Sequence, residues 1–95
     1  MILIVTRKLA CINDLLRIII RGADEIVLVD DGVYNAVEGE ELTRIVCREK
    51  IVVDAGDLEV RGIGFKELAE NVRLGVNAYK LIAKRVLEGE VVVAV

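Results

Sequence analysis

Apolar, β-branched runs recur along the chain at residues 1–5, 26–29, 51–53 and 91–95. Each run is continuous rather than alternating. Successive strand residues point to opposite faces, so a continuous run needs apolar surroundings on both. The pattern predicts strands inside a parallel sheet. Between the first two runs, Ile12, Leu15, Leu16, Ile19 and Ile20 fall at helical spacing. Asn13, Asp14, Arg17 and Arg21 take the other side of that helix, and Gly22 is its expected stop. A second helical stretch follows Asp31 and Gly32, breaks near Gly39, and resumes to about Cys47 with Leu42, Ile45 and Val46 facing inward. Tyr79, Ile82, Ala83, Val86 and Leu87 predict the inward face of a last helix, opposite Lys80, Lys84, Arg85 and Glu88. Asn77 is its expected N-cap, and Gly89 the residue that ends it. Residues 57–61 predict a short helix, 65–70 a turn, and 72–76 a short fourth strand.

The order is β-α-β-α-β-α-β-α-β. It predicts an α/β fold in one domain over residues 1–95, a three-layer sandwich around a mostly parallel five-stranded sheet. Residues 26–30 and 51–53 are its expected central strands. Right-handed crossovers place functional loops at the carboxyl ends of the strands.

Composition narrows the chemistry. The chain has no histidine, serine, glutamine, proline or tryptophan. A Ser-His-Asp triad and a Cys-His dyad are therefore impossible within it, as is a histidine metal site. Two cysteines alone do not make a four-ligand zinc site. Net charge is −3, with no basic stripe and only 3% aromatic residues, so neither phosphate neutralisation nor base stacking is provided for. Duplex nucleic acid is not an expected partner. No run is long enough for a signal peptide's apolar region or a membrane span, and two cysteines in such a chain read as reduced thiols of a cytoplasmic protein. With 55% hydrophobic residues in 95, more apolar surface is present than so small a domain easily hides, which predicts a dimer or larger assembly.

The block Ile26-Val-Leu-Val-Asp-Asp-Gly-Val-Tyr-Asn-Ala-Val37 resembles the second strand and following turn of the DsrH/TusB family, small sulfur-relay proteins of the DsrE-like superfamily. The block Val52-Val-Asp-Ala-Gly-Asp-Leu-Glu-Val-Arg-Gly62 resembles that family's third strand and its acidic-apolar-Arg-Gly helix. The resemblance implies a DsrE-like, flavodoxin-like fold and an accessory rather than catalytic part in a sulfurtransferase complex. It further implies DsrE-like and DsrF-like sibling subunits, a sulfur-carrier protein as a further partner, and sulfur passed through cysteine persulfides. The TusB branch serves 2-thiolation of a tRNA wobble uridine and the DsrH branch sulfur oxidation. Loss of the siblings would leave a homo-oligomer without relay activity.

Cys11 follows the first strand, close to the start of the first helix, with Arg7 and Lys8 nearby. Positive charge and a helix N-terminus both favour the thiolate, which is the attacking species in persulfide exchange. Cys11 is thus the candidate sulfur-carrying residue. The plainer alternative is a small apolar filler between helix and sheet. Family members with a cysteine in this helix align it with Leu15, one turn later. Cys47 reads as buried or partner-facing.

Asp30 and Asp31 close the second strand and Asp54 the third, an acidic trio that could hold Mg²⁺ in a receiver-like domain. Receivers, however, place the acidic pair after the first strand and need a lysine after the last. The simpler expectation is that Asp31 caps the next helix and Gly32 permits a tight turn, with Asp31, Gly32 and Tyr34 forming a turn or subunit contact. Arg61 and Arg73 read as solvated surface. Gly32, Gly39, Gly56, Gly62 and Gly64 form no nucleotide-binding fingerprint, and no cofactor is expected.

Overall fold

The computed structural model describes residues 1–46 and 50–95. Cys47 and the end of the second helical stretch lie outside the described residues. Five strands form one sheet: β1 (Ile2–Val5), β2 (Glu25–Leu28), β3 (Ile51–Asp54), β4 (Val72–Gly75) and β5 (Val92–Ala94). Their order is β4-β3-β2-β1-β5, and every neighbouring pair is parallel. Parallel neighbours need long crossovers, and these are α1 (Asp14–Gly22), a 3-10 segment at Asp30–Ala36 followed by α2 (Glu41–Ile45), α3 (Ala55–Val60) with a 3-10 turn at Phe65–Glu67, and α4 (Ala78–Leu87).

The order explains how the layers fill. From β1 to β4 the chain steps always in one direction, so right-handed crossovers keep those connections on one face. Leu3, Val5, Ile26, Leu28, Ile51 and Val53 meet Ile12 and Ile20 of the α1 region, Val33, Leu42 and Leu58 there. The step from β4 to β5 runs back across the whole sheet, which puts α4 on the other face. Ile2, Val27 and Val29 meet Ala78, Leu81 and Ile82 there. β2 and β3 are interior and buried, as the continuous apolar runs predict.

Helix ends follow local rules. Asn13 caps α1 by accepting from the Leu16 N–H at 2.8 Å, and Asn77 caps α4 by accepting from the Lys80 N–H at 3.2 Å. Gly89, at φ +80°, follows the end of α4. Gly22 is the last residue of α1 and takes no left-handed conformation; the Lys50 ammonium donates to the Ala23 carbonyl at 2.9 Å and the Arg21 carbonyl at 3.2 Å instead.

Three expectations change. The stretch after Asp31 is a 3-10 segment rather than an α-helix. In α1, Leu15 points outward and is 69% exposed, because Ile12, Leu16, Ile19 and Ile20 already meet the sheet. In α4 the inward residues are Ala78, Leu81, Ile82 and Arg85, while Tyr79, Ala83, Val86 and Leu87 are exposed. Arg85 turns in because its guanidinium pairs with Glu25 at the start of β2. No helix among the described residues is long and apolar enough to cross a membrane.

Candidate functional site

β3 continues into α3 on one face and β4 into α4 on the other. A crevice opens where neighbouring strands part in this way, and open α/β sheets bind ligands there. Asp54, the last residue of β3, sits at this point and is 5% exposed. Its Oδ2 accepts the Asp57 N–H and its Oδ1 the Ala78 N–H, each at 2.9 Å. One carboxylate therefore caps two helices on opposite sides of the sheet. Beside it lies an open groove of about 470 Å³ walled by Ala55, Gly56, Ile63, Phe65 and Val76, with Glu59 as its one acid.

Next to the groove, at the end of β2, Arg61 gathers three carboxylates. Its Nε donates to Asp31 Oδ1 at 3.0 Å and its Nη2 to Asp30 Oδ1, while its Nη1 donates to the Asp57 backbone carbonyl at 3.0 Å and lies 3.8 Å from Asp57 Oδ1. Asp57 Oδ2 accepts the Asp30 N–H at 2.7 Å and the Tyr79 hydroxyl at 2.8 Å. Desolvation and the Asp57 carboxylate push the Tyr79 phenol up to about 12, which extends into alkaline solution the protonated donor form a phenol already has at neutral pH. Arg61 is thus enclosed in an ion-pair cluster, its side chain 16% exposed, and not solvated surface. Arg73 is half exposed and pairs with Glu25.

The acidic trio does not converge. Asp30 and Asp31 face Arg61, and Asp54 spends both oxygens on backbone N–H groups. Among the described residues no three acidic or thiol side chains form a group able to hold a metal ion. Asp31 caps no helix. Nor does Gly32 supply the left-handed residue of the turn; Asp30 does, at φ +53°, which aspartate tolerates better than most side chains. Gly32 answers a different demand, since it lies against the backbone of β1. Tyr34 is 37% exposed.

Cys11 is exposed. It lies in the β1–α1 loop three residues before α1 begins, outside the first turn in which a helix terminus acts, so that contribution falls away. Exposure also removes the reading of Cys11 as a core filler. The loop is held on either side by buried Leu9 and Ile12.

Asn35 was not singled out from the sequence, yet it holds this loop in place. It is 2% exposed; its Oδ1 accepts the Leu9 N–H at 3.0 Å, and its Nδ2 donates to the Arg7 carbonyl at 2.8 Å and the Gly32 carbonyl at 3.0 Å. The available signal was an amide inside an otherwise apolar block, since a buried amide must find partners. Asn35→Ala leaves these groups unsatisfied and is expected to cost about 2–3 kcal/mol. Urea melts measure the loss, and hydrogen exchange at Leu9 should accelerate with it.

No curated protein matches the sequence significantly. Among solved structures, a protein of unknown function from Methanobacterium thermoautotrophicum superposes with a TM-score of 0.75 over 99% of this chain and 96% of that one, at 16% identity. That likeness concerns the fold. A family model described as "DsrH like protein" matches residues 9–87, which takes in the Cys11 loop, the Asp-Asp-Gly-Val turn, the Asp54 crevice and α4. With most of its length matched, including both blocks that carry the resemblance, this chain belongs to the DsrH-like family.

Proposed function

We propose that the chain is a subunit of a sulfur-relay assembly, acting beside DsrE-like and DsrF-like siblings, with Cys11 as its own sulfur-carrying thiol. Family membership over residues 9–87 carries the relay reading. The exposure of Cys11 at the carboxyl end of the sheet supports its part in it. The step is a thiol exchange: the Cys11 thiolate attacks the outer sulfur of a donor persulfide, the S–S bond of the donor breaks, and the donor leaves as a thiolate while Cys11 becomes the persulfide. No metal or cofactor is needed. The partner that takes the sulfur onward would serve a cytoplasmic tRNA wobble uridine or a sulfur-oxidising pathway.

Incubation with a low-molecular-weight persulfide and mass spectrometry of the peptides tests this. Cys11 is expected to gain about 32 mass units, one sulfur. Cys11→Ala should abolish the gain while leaving the circular dichroism and melting curve unchanged, because an exposed loop residue is removed. If only a DsrE-like sibling in the complex carries sulfur, the chain is a scaffold and Cys11 has no role. If neither protein does, the relay reading fails.

A further inference from the structure

The proposed sulfur transfer makes no use of the groove beside Asp54. Its volume of about 470 Å³ lies within the range of small-molecule sites. It stands in the crevice where β3 and β4 part, the usual place for such a site in an open α/β sheet. Its walls are apolar: Ala55 on α3, Ile63 in the loop that follows, Phe65 on the 3-10 turn and Val76 after β4. Phe65 and Val76 are 64% and 95% exposed, surface that water meets unfavourably. Both are held where they stand. The Gly64 N–H donates to Glu67 Oε2 at 2.6 Å and the Glu67 N–H to the Gly64 carbonyl at 3.0 Å, which fixes the turn that carries Phe65. The Ile63 N–H donates to the Leu58 carbonyl at 3.1 Å, and Val76 directly precedes Asn77, the cap of α4. Walls already in place lose little freedom when a ligand enters.

One charge faces this apolar surface. Glu59 is exposed at the groove and pairs with no described lysine or arginine; Arg61, two residues on, is spent on Asp30, Asp31 and Asp57. The sign of that charge selects the occupant. An anion would meet Glu59 and, behind Gly56, the Asp54 carboxylate. Nor does the start of α3 invite one, since Asp54 Oδ2 already accepts the Asp57 N–H there. A neutral apolar molecule covers the walls only by taking water from the Glu59 carboxylate and returning nothing. An organic cation covers the same walls and gives the carboxylate a partner, and the face of an aromatic ring attracts it further. We propose that the groove binds a small organic cation, an ammonium carried on an apolar body, with Glu59 as its counter-ion and Phe65 and Val76 against the body. Cys11 follows β1 and lies outside this groove, so the site does not rest on the sulfur-relay reading.

Three molecules of nearly one shape test it: phenylpropylammonium, phenylpropanol and phenylpropionate, each titrated into the isotope-labelled full chain and followed by nuclear magnetic resonance. The ammonium is expected to shift the amides of Gly56, Ile63 and Gly64 with a dissociation constant on the order of 1 mM. It should bind about 5–10-fold more tightly than the alcohol and weaken as salt is added. The carboxylate should not bind. Glu59→Gln should remove most of the ammonium's advantage over the alcohol, and Phe65→Ala should weaken both by about 5-fold. Both residues are exposed, so circular dichroism should show the fold retained. Glu88→Gln, an exposed acid beyond the far end of α4, should change nothing. An alcohol or carboxylate that binds as well as the ammonium overturns the proposal, as do shifts centred outside the groove, none at about 10 mM ammonium, or an ammonium affinity unchanged in Glu59→Gln. So does an acetylated Leu-Lys-Leu amide that shifts the same amides and binds more tightly than the ammonium, which would make the groove a docking surface for protein.

Discussion

Gly32→Ala is expected to cost about 3–5 kcal/mol, a large part of the roughly 5–14 kcal/mol available to a chain of this length. A Cβ on Gly32 would stand 1.9 Å from the Val5 carbonyl oxygen and 2.6 Å from its carbon. The obstacle is backbone, so no rotamer relieves it. Val5 is held in place: it pairs with Leu28 in the interior of the sheet, and its carbonyl accepts the Val29 N–H at 3.1 Å. Gly32 is held as well, its N–H donating to the Val29 carbonyl and its carbonyl accepting from Asn35. Any shift large enough to admit a methyl group breaks one of these bonds. At about 4–8 °C per kcal/mol for a domain of this size, the melting temperature should fall by roughly 15 °C or more. Gly22→Ala is the control. Nothing lies within 4 Å of a Cβ there, and the residue is helical, so the change should be neutral or stabilising by up to about 1 kcal/mol. A Gly32→Ala protein that melts with the wild type would refute the close approach to β1.

The strands were legible because parallel strands buried on both faces leave continuous apolar runs, and β1, β2 and β3 fall where those runs do. The cap of α4 was legible because it is local, Asn77 needing only its own next turn, whereas Asn13 read as an outward residue of α1 and the cap expected of Asp31 did not form. What the sequence hid is long-range polar pairing. Arg85 looks like an outward residue until Glu25, sixty positions away, is placed beside it. That pair rotates the buried side of α4 and leaves Tyr79, Ala83 and Val86 outside. Arg61 looks solvated until the 3-10 segment brings Asp30 and Asp31 to it. Asp54 looks like a metal ligand because spacing reveals that carboxylates are near one another and not which way they point. Asn35 passed unremarked for the same reason, since its three partners sit on other loops or behind the turn.

Asp54 then carries the second large expectation, a loss of roughly 2–4 kcal/mol in Asp54→Ala. Removing one capping side chain costs about 1 kcal/mol. Here one carboxylate serves two helices, and both bonds are to a charged, nearly buried acceptor, the stronger class. The truncation strands the Asp57 and Ala78 N–H groups together. Its effect should be local before it is global. α3 carries Asp57 and is followed directly by Arg61, and α4 carries Tyr79, so the two helix starts that Asp54 joins also bring together the ion-pair cluster above them. Hydrogen exchange at Asp57 and Ala78 should therefore rise before the core amides of β2 and β3 do. Asp54→Asn retains one carbonyl oxygen but turns an NH₂ towards the second N–H, so it should lose at least one of the two caps. Magnesium separates this role from metal binding. If Asp54 is a cap, Mg²⁺ leaves the wild-type melt unchanged and shifts neither variant. Stabilisation of the wild type alone by Mg²⁺, or an Asp54→Ala melt within about 0.5 kcal/mol of wild type, the range of an ordinary surface change, would show that the carboxylate does something else.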